Sequence, residues 1–99
     1  MKQFDVYEAE DGLAFCVLQS DLLLDTLDTV MIAPLVDTRG KGIARLTPSM
    51  EFGGRHYLLD VPQQISVRAM PLRHKTPVGS LAGHRDEILD AVNLLYWGI

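Results

Sequence analysis

The chain has 99 residues, which allows one domain spanning 1–99 with a single core and no disulfide or metal staples. A hydrophobic content of 47% and a charged content of 22% argue against a disordered chain, and no apolar run approaches the ~20 residues that cross a bilayer. The net charge of −4 disfavours a general nucleic-acid binder, which needs a basic face to displace phosphate counterions.

The first residues carry no charged-then-apolar export signal, so a cytoplasmic setting is expected. Phe4 and Val6 alternate with polar neighbours, as in a strand, and Asp11-Gly12 offers a turn before the apolar run over 13–18. Cys16 lies inside that run. A lone cysteine forms no internal disulfide, and here it reads as a small buried hydrophobe. Val30-Met31-Ile32-Ala33 predicts a further strand, stopped by Pro34, which has no amide hydrogen for a ladder. Residues 37–42 have turn chemistry. Gly53-Gly54, between Met50-Glu51-Phe52 and Arg55-His56-Tyr57-Leu58-Leu59, is the clearest hairpin signal. Ile65, Val67 and Ala69 alternate with Ser66 and Arg68 before Pro71 ends the pattern, and residues 77–80 lead to the last element with Ser80 as a weak N-cap. Five or more short strands followed by one helix predict a mainly β fold: a small, strongly curved antiparallel sheet or barrel with the helix packed on it.

That helix carries the most informative residues. At about 100° per residue, Ile88, Val92, Leu95 and Ile99 form a core-facing stripe, with Asp86, Asp90 and Asn93 opposite. Trp97, the only tryptophan, falls among the polar three. Two arrangements are open. Either the ring stands outward as an anchor for a partner, or the helix stops short and the ring folds back onto the body.

Catalytic and metal motifs are absent. His56, His74 and His84 have no partners at ligand spacing and read as surface or turn histidines; no metal and no cofactor is expected. Gly40-Lys41-Gly42 lacks the Ser/Thr of a phosphate loop, and Ser20-Asp21 with a distant His is a chance set. Arg39, Lys41 and Arg45 form one basic cluster, and Arg68, Arg73, His74 and Lys75 another. Either is a solvated loop or a receiver for an acidic peptide. A binding protein is favoured over an enzyme.

The terminal Asn93-Leu94-Leu95-Tyr96-Trp97-Gly98-Ile99 resembles the C-terminal signature of the CcdB toxins of bacterial toxin–antitoxin modules. Gln3-Phe4-Asp5-Val6-Tyr7, Gln19-Ser20-Asp21-Leu22-Leu23 and Ile32-Ala33-Pro34-Leu35 resemble further family elements in the same order. The resemblance implies an SH3-like barrel of the CcdB/Kid/MazF type: a curved antiparallel sheet, a small second sheet and a C-terminal helix. It also implies a cytoplasmic, non-catalytic toxin of the plasmid-maintenance kind. Such a toxin acts as a two-fold dimer (homodimer) that inserts its paired C-termini between the two GyrA chains of DNA gyrase and traps the cleaved DNA complex. A CcdA-like antitoxin with a disordered C-terminal segment neutralises it.

Carried over by residue, Trp97, Gly98 and Ile99 would contact gyrase, Asn93 and Tyr96 would flank them, and Leu22 and Leu23 would sit beside the dimer axis. Three leucines, 22–24, stand where the family pattern has two aliphatics, which leaves their register open. The loop with Arg39, Lys41 and Arg45 and the segment 60–70 depart from the family, and would be expected to set antitoxin specificity. The rival from another class is an endoribonuclease of the Kid/MazF type, for which Arg45, His56, Arg68 or Arg73 are available. A third reading is a homologue that folds and dimerises without toxicity.

Overall fold

A computed structural model describes residues 1–37 and 42–99. In chain order its strands are β1 (Asp5–Glu8), β2 (Ala14–Val17), β3 (Thr29–Asp37), β4 (Ser49–Phe52), β5 (Arg55–Leu59), β6 (Ile65–Arg68) and β7 (Gly79–Ser80). The helices are α1 (Met70–Arg73) and α2 (Arg85–Trp97), with 3-10 turns at Val61–Gln63 and Ala82–His84.

All the pairings are antiparallel, in the order β4-β5-β3-β2-β1-β7 with β6 also on β3. β3 is the spine. One of its sides pairs with β2, and the other pairs with β6 through residues 29–32 and with β5 through residues 35–37. The β4–β5 hairpin turns on Gly53 and Gly54 at φ 60° and 78°, the left-handed pair that a two-residue hairpin loop requires.

β3 does not stop at Pro34 as its sequence predicts. Leu18 N–H donates to Met31 O, so residues 31, 33 and 35 aim their backbone groups at β2, and Pro34 aims its own at the opposite side. There the partner changes from β6 to β5. Pro34 O accepts from Asp60 N–H at 2.8 Å, and only the reciprocal bond is forgone. A proline is tolerated where the ladder is already interrupted.

Both faces of this curled sheet are covered. Val6, Cys16, Ala33 and Leu35 pack toward α2 with Ile88 and Ala91. Tyr7, Val17, Val30 and Ile32 form a second cluster, closed over by Leu24, Ala69 and Leu72. That is why residues 13–18 and 30–36 read as continuous apolar runs instead of alternating. The Tyr7 and Phe15 rings, opposite in register, stack at 6.1 Å.

The curl brings the two ends of the sheet together. A Cβ on Gly79 of edge strand β7 would run into the ring of Phe52 on edge strand β4. β7, two residues long, is too short to leave a periodic signal in the sequence. Ser80 does not cap α2. Its Oγ accepts from Ala82 N–H at 3.1 Å, ahead of the 3-10 turn, and the helix begins at Arg85. The expected mainly β fold, with a curved antiparallel sheet and a C-terminal helix, is present.

Candidate functional site: an exposed aromatic helix end

α2 keeps its helical course through Trp97, so the ring cannot fold back. Ile88 and Ala91 are buried, and Val92 and Leu95 are partly buried, so the predicted stripe anchors the helix as far as Leu95. Burial of a side chain like Ile88 contributes about 1.5–3 kcal/mol. Gly98 takes φ 72° and its N–H donates to Leu94 O at 3.0 Å, a left-handed cap that ends the helix and redirects the chain. The consequence is specific to Ile99. A continued helix would have returned it to the core, but past this cap it is 79% exposed. Trp97 is 73% exposed and Tyr96 56% exposed, and Asn93 is exposed as well.

The segment 19–28 supplies the second part. Leu24 is 4% exposed and fixes the register of the three leucines, leaving Leu22 at 88% and Leu23 at 40%. Gln3 N–H donates to Asp21 Oδ1 at 2.7 Å, which holds the start of the segment against the first residues. Arg73 Nη2 donates to Leu24 O at 2.7 Å and to Leu27 O at 2.9 Å, which holds its end. A groove of about 240 Å3 joins the two parts: Gln19 and Leu18 on one side, Tyr96, Val92 and Leu89 on the other, with Gln64 between. Gln64 Nε2 donates to Tyr96 Oη at 2.6 Å across it. Neither Gln64 nor Arg73 was legible as a contributor here, because isolated bonds from a side chain to distant residues leave no sequence pattern.

Of the groups that an acid–base reaction would need, Arg68 and Arg73 share a cavity with Asp28, while His56 and Arg45 lie apart from it. Arg68 lies opposite Thr29 at one end of β3 and lines a cavity with Asp28 and Arg73. His56 lies opposite Glu51 in the hairpin that pairs with the far end of β3. At ~3.3 Å per residue those ends stand about 20 Å or more apart. Arg45 is held elsewhere: Nε and Nη2 meet Asp90 Oδ2 and Oδ1 of α2 at 3.0 and 2.8 Å, a two-pronged ion pair. The hydrogen bond from Arg45 holds the Asp90 carboxyl below its ordinary range. Arg39 and Lys41 lie outside the described residues.

Cys16 is fully buried, and burial, with Asp5 adding to it, pushes its thiol up to about 12, far from nucleophilic use. Tyr7 has a buried hydroxyl with no hydrogen-bond partner; burial first, then Asp5, raises its pKa. Among the described residues no group of His, Cys, Asp or Glu could hold a metal ion, and no helix is long and apolar enough to cross a membrane.

The fold is a curled antiparallel sheet with a terminal helix whose end presents exposed aromatic and aliphatic side chains. The sequence profile of the CcdB protein family matches residues 3–98, and the chain belongs to that family. It is thus a toxin of a toxin–antitoxin module, with an antitoxin as its partner. No curated protein matches it.

Proposed function

We propose that this toxin is a non-catalytic poison of DNA gyrase, acting in the cytoplasm as a two-fold dimer of single-domain protomers. Its Trp97-Gly98-Ile99 end would contact the GyrA chains. The observation that carries the reading is Trp97, outward and 73% exposed on a helix that the body otherwise holds firmly. Exposed large apolar residues gathered in one region mark an interaction site. Here Tyr96 lines the groove with Gln19, and Trp97 and Ile99 follow it at the exposed helix end, while Leu22 and Leu23 are exposed a few residues past Gln19.

A two-fold dimer presents the same patch twice. Leu22 and Leu23 would lie near its axis, with Asn93 and Tyr96 flanking two Trp97 anchors that meet a two-fold target. Trapping follows if the patch fits gyrase in its DNA-cleaved state better than in its resealed state, since a ligand shifts an equilibrium only by its differential affinity. Stacking of an indole on a guanidinium would add ~0.5–2 kcal/mol to that contact.

The antitoxin would be CcdA-like, approaching with a disordered acidic segment. Arg39, Lys41 and Arg45 would form part of its landing site. Arg45 already holds Asp90, so a carboxylate of the antitoxin would have to displace that partner. For the ribonuclease reading, Arg68 and Arg73 share a cavity with Asp28, but His56 and Arg45 stand away from it, so no histidine joins them as a general acid or base.

The experiment is a plasmid cleavage assay with purified gyrase and ATP, with the intact protein beside a chain ending at Tyr96. Linear DNA accumulating only with the intact protein is expected. No cleavage with a sensitive gyrase, from a protein that light scattering finds dimeric, would overturn the proposal in favour of a non-toxic homologue; RNA cutting in its place would favour a ribonuclease.

A further inference from the structure

The last turn of a helix is its loosest part, because its carbonyls have no intrahelical donors and its residues fray at almost no cost. In α2 the side chains past Leu95 are mostly exposed, so burial holds them only in part. A residue that anchors a partner gains affinity when it is ordered beforehand, since freezing a side chain on binding opposes association. What orders this end therefore matters to what it can bind.

We infer that Gln64 is a positioning residue for the Trp97 end, acting through its hydrogen bond to Tyr96. Gln64 is held on both sides. Its own N–H donates to Val61 O at 3.1 Å, closing the Val61–Gln63 turn, and the next residue, Ile65, is already in register with Ile32. Val61 is fully buried in the same cluster as Ile88 and Ala91, with Leu95 packed against it, so the turn and the helix share one core. From that fixed base Nε2 reaches Tyr96 Oη at 2.6 Å, one residue from Trp97.

The second bond from the body to this half of the helix, Arg45 to Asp90, lies nearly two turns earlier and cannot restrain the last turn. Gln64 touches neither Trp97 nor Ile99 in any described contact; it works by holding their neighbour. The groove beneath the bond, lined by Leu89 and Val92, gives the Tyr96 ring a floor on the helix side. Hydroxyl and carboxamide are both required. Tyr96→Phe and Gln64→Leu each remove the bond while keeping most of the side-chain volume.

The inference rests on the proposed gyrase contact for its functional half and on the free protein for its structural half, so the test has two readouts. Trp97 is the only tryptophan, and its fluorescence anisotropy decay in the free protein reports the order of this end without a label. Gln64→Leu and Tyr96→Phe should each lower the residual anisotropy while leaving the thermal midpoint nearly unchanged. Each should also weaken binding to a GyrA fragment by about 2- to 10-fold, the range of one net hydrogen bond. The double variant should be no worse than either single one, because both remove the same bond. Gln64→Glu should restore the anisotropy at neutral pH, its carboxylate accepting from the Tyr96 hydroxyl.

Unchanged anisotropy in both single variants would overturn the inference whatever gyrase does. So would additive losses in the double variant, or unchanged affinity in variants of a protein that binds gyrase. A parent protein that does not bind gyrase would sink the gyrase reading instead, with the anisotropy still deciding whether Gln64 orders the helix end.

Discussion

Trp97→Ala separates a partner anchor from a core residue, and the structure gives a magnitude for each side. Trp97 is 73% exposed, so of the roughly 250 Å2 such a ring can bury only about a quarter, ~70 Å2, is covered in the folded chain. At ~25 cal/mol per Å2 that burial is worth about 1.7 kcal/mol, and a partly compact unfolded chain lowers the figure. Alanine returns ~0.5 kcal/mol through its better helix propensity. The net cost is about 1 kcal/mol, or ~4–8 °C in Tm for a domain of this size.

The uncovered ~180 Å2 is available to a partner, with a ceiling of about 4.5 kcal/mol at the same coefficient. Hot-spot aromatics commonly realise ~2 kcal/mol or more, which is roughly a 30-fold loss of affinity. Paired melts and a titration of gyrase-dependent plasmid linearisation read both quantities on the same samples. A Tm fall well beyond ~10 °C would place the ring in the core. Undiminished cleavage would remove Trp97 from the contact. Either result refutes the reasoning.

Tyr7→Phe should leave stability unchanged or raise it by about 1 kcal/mol in chemical denaturation, because the hydroxyl it deletes is buried with no partner; a loss of that size would mean the hydroxyl is bonded. Asp90 has a carboxyl depressed by Arg45, so its contribution is present above the unfolded value of ~3.9 and is lost as pH falls through the lower folded value. The Tm gap between the parent protein and Asp90→Asn should therefore be open at pH 7 and close in acid below about pH 4; a gap that stays constant down to pH 2 would contradict the pairing. Cys16, buried and pushed up to about 12, should resist a thiol-exchange reagent at pH 8 until denaturant is added, and prompt labelling of the native protein would show the strand opens.

Much of this was readable because it was repeated or punctuated. Gly53-Gly54 marks a hairpin by backbone chemistry alone, and the helical stripe of Ile88, Val92 and Leu95 needs only a period. Pro34 misled because a missing donor stops a strand only where a partner waits for it, and that depends on where β6 gives way to β5. Leu22, Leu23 and Leu24 are alike in composition, and only the second core cluster decides which of them turns inward. Ile99 belongs to the stripe by angle and leaves it by one backbone dihedral at Gly98. Gln64, Arg73 and Asp90 act through one or two isolated bonds across the fold, for which one chain holds no periodic trace.

The meeting of Phe52 with Gly79 bears on the solubility of the molecule. An open sheet has two exposed margins, each a template on which another chain can add a strand. Along the main path those margins are β4 and β7, and the ring of one lies against the backbone of the other; β6, paired only to β3, keeps a short margin of its own. The sheet is plugged at its seam by a side chain where a closed barrel would use hydrogen bonds. The outer side of β1 is covered late in synthesis, because Val78 N–H and Leu81 N–H donate to Val6 O and Phe4 O from more than seventy residues away. Until that stretch leaves the ribosome, the nascent β1–β2–β3 meander carries an unguarded margin rich in apolar side chains. An unpaired margin of this kind is one on which another chain can add a strand.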